Sequence, residues 1–125
     1  MTRTIATETE SLDLTPFKTC TSIRELAYTK SEIPCTIPAG TELVIFWSRN
    51  QPGRVYFDFE GRMRSVNSAR MFDTFNGKFI KEPGVSTLER WSNEGFCKTV
   101  TGKVTEPDGT GTDGSPSWLL ILGMI

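Results

Sequence analysis

Apolar and polar positions alternate over short runs along most of this chain and hold a helical period only briefly, which predicts a mainly β protein. Ile33-Pro34-Cys35-Thr36-Ile37 alternates before the turn signal Pro38-Ala39-Gly40. The unbroken β-branched and aromatic run Glu42 to Trp47 predicts a strand buried on both faces. A polar loop, Ser48 to Gly53, separates it from Val55 to Phe59, whose alternation puts Val55, Phe57 and Phe59 on one face and Tyr56 and Asp58 on the other. Glu60-Gly61 is a two-residue hairpin connection to a returning strand, Arg62 to Val66. Asn67 to Phe72 lacks alternation and predicts a turn or 3₁₀ segment that drops Met71 and Phe72 into the core. Phe75 and then Lys78 to Lys81, around the Asn76-Gly77 turn, predict a last short strand. Ser22 to Tyr28 fits a helical turn or a short strand equally well.

Pro83-Gly84 breaks the chain, and a short helix follows. Ser86 and Glu89 have the spacing of a capping box, and Gly95 sits where a left-handed C-terminal residue belongs. Leu88 and Trp91 share one face, and Arg90 and Glu94 share another. A hairpin with an acidic, glycine-rich tip is expected next, then the apolar segment Trp118 to Ile125 as a strand. Residues 1 to 14, rich in Thr and Glu, are expected to be a mobile arm. Residues 15 to 125 then form one domain, with a small barrel over 15 to 81 and the helix, hairpin and apolar strand over 82 to 125.

The order strand, loop, hairpin, short helical turn and closing strand resembles SH3-like small β-barrels. Thr87-Leu88-Glu89-Arg90-Trp91 with Glu94-Gly95 is similar to the reading helix of MerR-like and excisionase-like winged helices. That resemblance implies DNA contact by the helix and a wing on the backbone, but Glu106, Asp108 and Asp113 at the wing tip oppose approach to phosphates. Glu106-Pro107-Asp108-Gly109, Asp113 to Trp118 and Leu122-Gly123-Met124-Ile125 resemble the C-terminal region of small proteins of tailed phages and related mobile elements. This implies a phage or prophage source and transfers no activity.

The net charge of -1 gives no overall bias towards nucleic acid, but its distribution is uneven. Residues 43 to 81 hold 7 basic and 3 acidic side chains, between flanks with 4 against 6 and 3 against 6. Arg49, Arg54, Arg62, Arg64 and Arg70, beside Trp47 and Tyr56, therefore form a candidate nucleic-acid surface that combines cations with stacking rings, Arg62 and Arg64 sharing a strand face. There is no histidine, which removes His-based triads, His acid-base chemistry and the usual zinc sites. Cys20, Cys35 and Cys97 form no C-x-x-C pair, and no signal-peptide pattern precedes them, so a reduced, cytoplasmic setting is expected. Asp108 to Gly114 has neither EF-hand spacing nor a phosphate-loop ending, so no cofactor or metal is expected.

Catalysis would have to rest on carboxylates such as Asp58 and Glu60, or on a cysteine without an evident base; the expectation is a non-enzymatic protein. The apolar run at 118 to 125 is far shorter than the ~20 residues of a membrane span. Two expectations remain. One is a binding or assembly module in which Trp118, Leu120, Leu122 and Ile125 pair as a strand with a second copy or another protein. Its plainer rival is that these residues finish the monomer's own core. The other is nucleic-acid binding by the arginine-rich hairpin.

Overall fold

Alternation in Val55 to Phe59 and the Glu60-Gly61 turn produce the hairpin they predict. In the computed structural model, which describes residues 13 to 125, β5 (Arg54–Phe59) pairs antiparallel with β6 (Arg62–Asn67), Phe59 lying opposite Arg62. Both turn residues have positive φ, 54° at Glu60 and 79° at Gly61, the conformation a two-residue hairpin requires. The Asp58 carboxylate accepts the Gly61 N–H at 2.9 Å. The arm assigned to residues 1 to 14 lies, apart from Asp13 and Leu14, outside the described residues.

The hairpin belongs to a five-stranded antiparallel sheet in the order β6-β5-β4-β1-β7, with β1 at Thr15–Ser22, β4 at Glu42–Trp47 and β7 at Phe75–Asn76. Strands hold 37% of the structure against 19% in helices, so the protein is mainly β, and the sheet curls into a half-barrel. β2 (Leu26–Tyr28) and β3 (Cys35–Ile37) form a separate hairpin. The sequence pattern does not mark β1 because it carries an irregularity between Pro16 and Lys18. This extra residue shifts the side-chain alternation, so Phe17 and Cys20 are both buried although three positions apart.

Inward-facing Leu43, Ile45, Trp47, Val55 and Phe57 form the sheet's contribution to the core. Phe57, Phe75, Phe79 and Phe17 follow one another in edge-on contacts with centroids 5.6, 6.4 and 6.2 Å apart. β4 is not buried on both faces: Val44 is 43% exposed and Phe46 half-buried. After β6 a 3₁₀ turn (Ser68–Arg70) runs into α1 (Met71–Thr74). Met71 enters the core as expected, whereas Phe72 stays exposed beside the Lys81 ammonium. The last strand of the five-stranded sheet is Phe75–Asn76, on the β1 edge. Lys78 to Lys81 are not a strand, although the Ile80 N–H bonds the Val100 carbonyl.

α2 (Val85–Glu94) buries Leu88 and Trp91, places Arg90 3.7 Å from Glu94 and ends at Gly95 with φ 78°. Its start differs from the expected capping box. Gly84 is the N-cap and makes no side-chain bond, because the Pro83-Gly84 break admits the chain into the helix earlier and leaves Ser86 within the first turn. The hairpin that follows, β8 (Cys97–Lys98) with β9 (Val104–Thr105), turns at Thr99 to Lys103, so the acidic segment 106 to 114 is not its tip.

That segment locks the final apolar residues in place. The Gly109 N–H bonds the Glu106 carbonyl, the Ser117 N–H bonds the Gly109 carbonyl, and the Ser117 hydroxyl donates to the Pro107 carbonyl. Asp113 accepts the Ser115 N–H at 3.1 Å and the Thr101 hydroxyl at 2.7 Å. The expected C-terminal strand is instead a helix, α3 (Trp118–Ile121), capped by the Ser117 hydroxyl accepting the Leu120 N–H at 3.0 Å. It ends in a Schellman motif: the Gly123 N–H bonds the Leu120 carbonyl, and the Met124 N–H bonds the Leu119 carbonyl. Gly123 has φ 70°, and a Cβ there would lie 2.7 Å from the Pro52 Cβ. Gly123→Ala is therefore expected to destabilise the protein by about 1–2 kcal/mol, measured by urea denaturation, through strain at positive φ and collision with Pro52. An unchanged midpoint would mean that the motif does not hold the segment.

Candidate interaction surface

Strand register assigns each proposed site residue to one of the sheet's two faces. Pro16 pairs with Phe46, Phe46 with Tyr56, and Tyr56 with Ser65, so these four form one row across four strands on the outer face. The neighbouring outer positions include Thr19 paired with Val44, and Asp58 paired with Met63. Arg54 shares this face and donates from Nε and one terminal nitrogen to the Ser65 hydroxyl at 3.1 and 3.0 Å. Tyr56 is buried even here, and that burial raises its phenol pKa despite the opposing effect of Arg54.

Trp47 pairs with Val55 and faces the core, so the two rings proposed as one stacking platform point to opposite sides of the sheet. Arg49 stays with Trp47, its guanidinium 5.8 Å from the ring centroid. Arg64 pairs with Phe57 and Arg62 with Phe59, so the two arginines share one strand face, as expected, and it is the inner one. Arg64 is 7% exposed. It donates to the Ser31 hydroxyl at 2.9 Å and to the Ile33 carbonyl at 2.6 Å, and lies 5.3 Å from the Tyr28 ring centroid. The Tyr28 hydroxyl bonds the Ser65 carbonyl, and burial pushes its pKa up to about 12, with Cys35 acting in the same direction and the arginines opposing. Arg64 thus clamps the β2–β3 hairpin and its loop to the sheet. Arg70 lies elsewhere, exposed, 3.5 Å from Asp73, which also meets Arg24 at 3.9 Å.

The C-terminal candidates divide differently. Trp118 and Leu120 are buried in the core, Leu122 packs against it half-buried, and Ile125 is 56% exposed. Trp118 and Leu120 lie in α3, which offers no strand edge for pairing.

Exposed apolar side chains are scattered among the described residues, with Val85 and Val104 off the outer sheet face and Val44, beside half-buried Phe46, on that face. Along β1 the outer face continues into an open groove of about 380 Å³ between Pro16 to Thr19 with Val44 on one side and Asp113-Gly114 on the other. Partial burial raises the Asp113 pKa, but the Thr101 hydroxyl and the Ser115 N–H outweigh it and hold the carboxyl below its ordinary value. The Cys20 thiol, on the inner face, is pushed up to about 11 by burial, with Lys18 opposing, and so stays protonated at neutral pH. Among the described residues no group of three or more acidic or cysteine side chains could hold a metal ion, and no helix is long and apolar enough to cross a membrane.

Sequence reasoning missed this surface. In Glu42 to Trp47 the residues of both faces are apolar apart from Glu42, so period two carried no contrast to separate Val44 and Phe46 from Leu43, Ile45 and Trp47. No protein-family model matches this chain, and neither does any curated protein or solved structure.

Proposed function

We propose that this is a non-enzymatic binding or assembly module whose SH3-like half-barrel presents the outer face of its sheet to a protein partner. The observation that carries this is the outward row of Pro16 and Phe46 with Val44 beside it, Val44 being 43% exposed, Pro16 exposed and Phe46 half-buried, while Tyr56 in the same row is buried. Exposed polar residues adjoin the row, including Arg54, Asp58, Thr19 and Glu42, the apolar-centre, polar-rim pattern of protein interfaces. This face is preferred to the apolar C-terminal residues because Trp118 and Leu120 among them are occupied in the core.

A photo-crosslinking amino acid at Val44, compared with one at exposed Glu89 on α2, tests the proposal in the native cell. Protein adducts specific to position 44 and abolished by Phe46→Glu are expected. Equal labelling at both positions, or adducts to nucleic acid instead of protein, would overturn it.

A further inference from the structure

We infer that the partner on the outer face is a second copy of this chain, packed face to face with its strands antiparallel to those of the first; this rests on the preceding assignment of that face. The face is charged in opposite senses at its two ends. Exposed Arg54 opens β5. Glu42 opens β4, Asp58 lies near the end of β5 and Glu60 in the turn after it, which the antiparallel pairing of β4 with β5 brings to the other end. Between them lie Val44, 43% exposed, and half-buried Phe46, with Tyr56 buried beside them.

A two-fold axis lying across the strands, midway between the Tyr56 and Asp58 levels, superposes each end on its opposite. Along β5 it brings Arg54 of one copy level with Glu60 of the other. Along β4 it sets Phe46 over Val44. Each contact occurs twice, as an isologous interface requires. A two-fold axis running along the strands would instead place the acidic ends together and the basic ends together. The sheet's charge pattern therefore selects the antiparallel pairing. Because the sheet curls away at its sides, contact centres on β4 and β5, at the small end of specific interfaces, where dissociation constants of roughly 10–100 μM are ordinary.

Charge exchange tests this with folded proteins, since Arg54, Glu42 and Glu60 are all exposed. Sedimentation equilibrium of the full chain should show a monomer–dimer equilibrium. Arg54→Glu alone and Glu60→Arg alone should each weaken it at least about tenfold, and an equimolar mixture of the two should recover a dimer close to the original strength, now a heterodimer. Thermal melts of both variants confirm that each is folded. A monomer at millimolar concentration, or single variants that dimerise unchanged, would overturn the inference. If position 44 then crosslinks specifically to a different protein, the assignment of the face stands and only the second copy is rejected.

Discussion

Deleting residues 118–125 is expected to leave a chain that does not fold. Trp118, Leu119 and Ile121 are wholly buried and Leu120 nearly so, and all four belong to the same core cluster as Phe57 and Leu88. Each buried side chain of this size contributes about 1.5–3 kcal/mol, so the four together supply roughly 6–12 kcal/mol, comparable to the ~5–15 kcal/mol by which a whole domain is stable. The deletion also removes the Ile121 carbonyl that accepts the Gly53 N–H at 2.8 Å. The truncated protein should lose its cooperative thermal transition and its amide proton dispersion, and aggregate on size-exclusion chromatography. A soluble, folded, monomeric truncation would show that this segment lies outside the core. Trp118→Ala, costing about 3–5 kcal/mol through the cavity it leaves, should stay measurable by urea denaturation where the deletion does not.

Arg64→Ala is expected to cost about 2–3 kcal/mol and to release the loop between β2 and β3. Two hydrogen bonds from a charged donor, to Ser31 and Ile33, and the contact with Tyr28 are lost together, while removal of a desolvated cation offsets part of the loss. The melting temperature should fall by about 5–15 °C, and proteolytic cleavage between Thr29 and Pro34 should become faster. Arg64→Lys should recover little, since an ammonium cannot extend two parallel arms to Ser31 and Ile33 as the guanidinium does. Wild-type melting of Arg64→Ala would show that the clamp is not energetically significant. The same experiment separates this role from a nucleic-acid role, which would lower affinity without moving the melting temperature.

The parts of the fold legible in the sequence are those whose cause is local. Glu60-Gly61 forms its turn because the two residues tolerate positive φ and the flanking strands alternate cleanly. Gly95 ends α2 for the same kind of reason, and Leu88 with Trp91 marks its buried face. Where local pattern was ambiguous, expectation failed. The run Trp118 to Ile125 has no polar residue to distinguish period two from period 3.6, and its helix depends on a hydroxyl cap at Ser117 held by Pro107, ten residues earlier. The arginines of β6 were legible as a pair on one face. Which face that is depends on what packs against the strand.

The sequence by itself determined a mainly β chain without histidine chemistry, its central hairpin, and a short helix anchored by Leu88 and Trp91, since these follow from backbone preference and side-chain periodicity over neighbouring residues. Tertiary structure alone decided which way the ambiguous surfaces turned. The curl of the sheet makes one side a core that takes in Trp47, Arg64 and the final helix, and leaves Val44 and Phe46 on the other, because a sheet has two faces and only the elements that fold over it choose which one is buried.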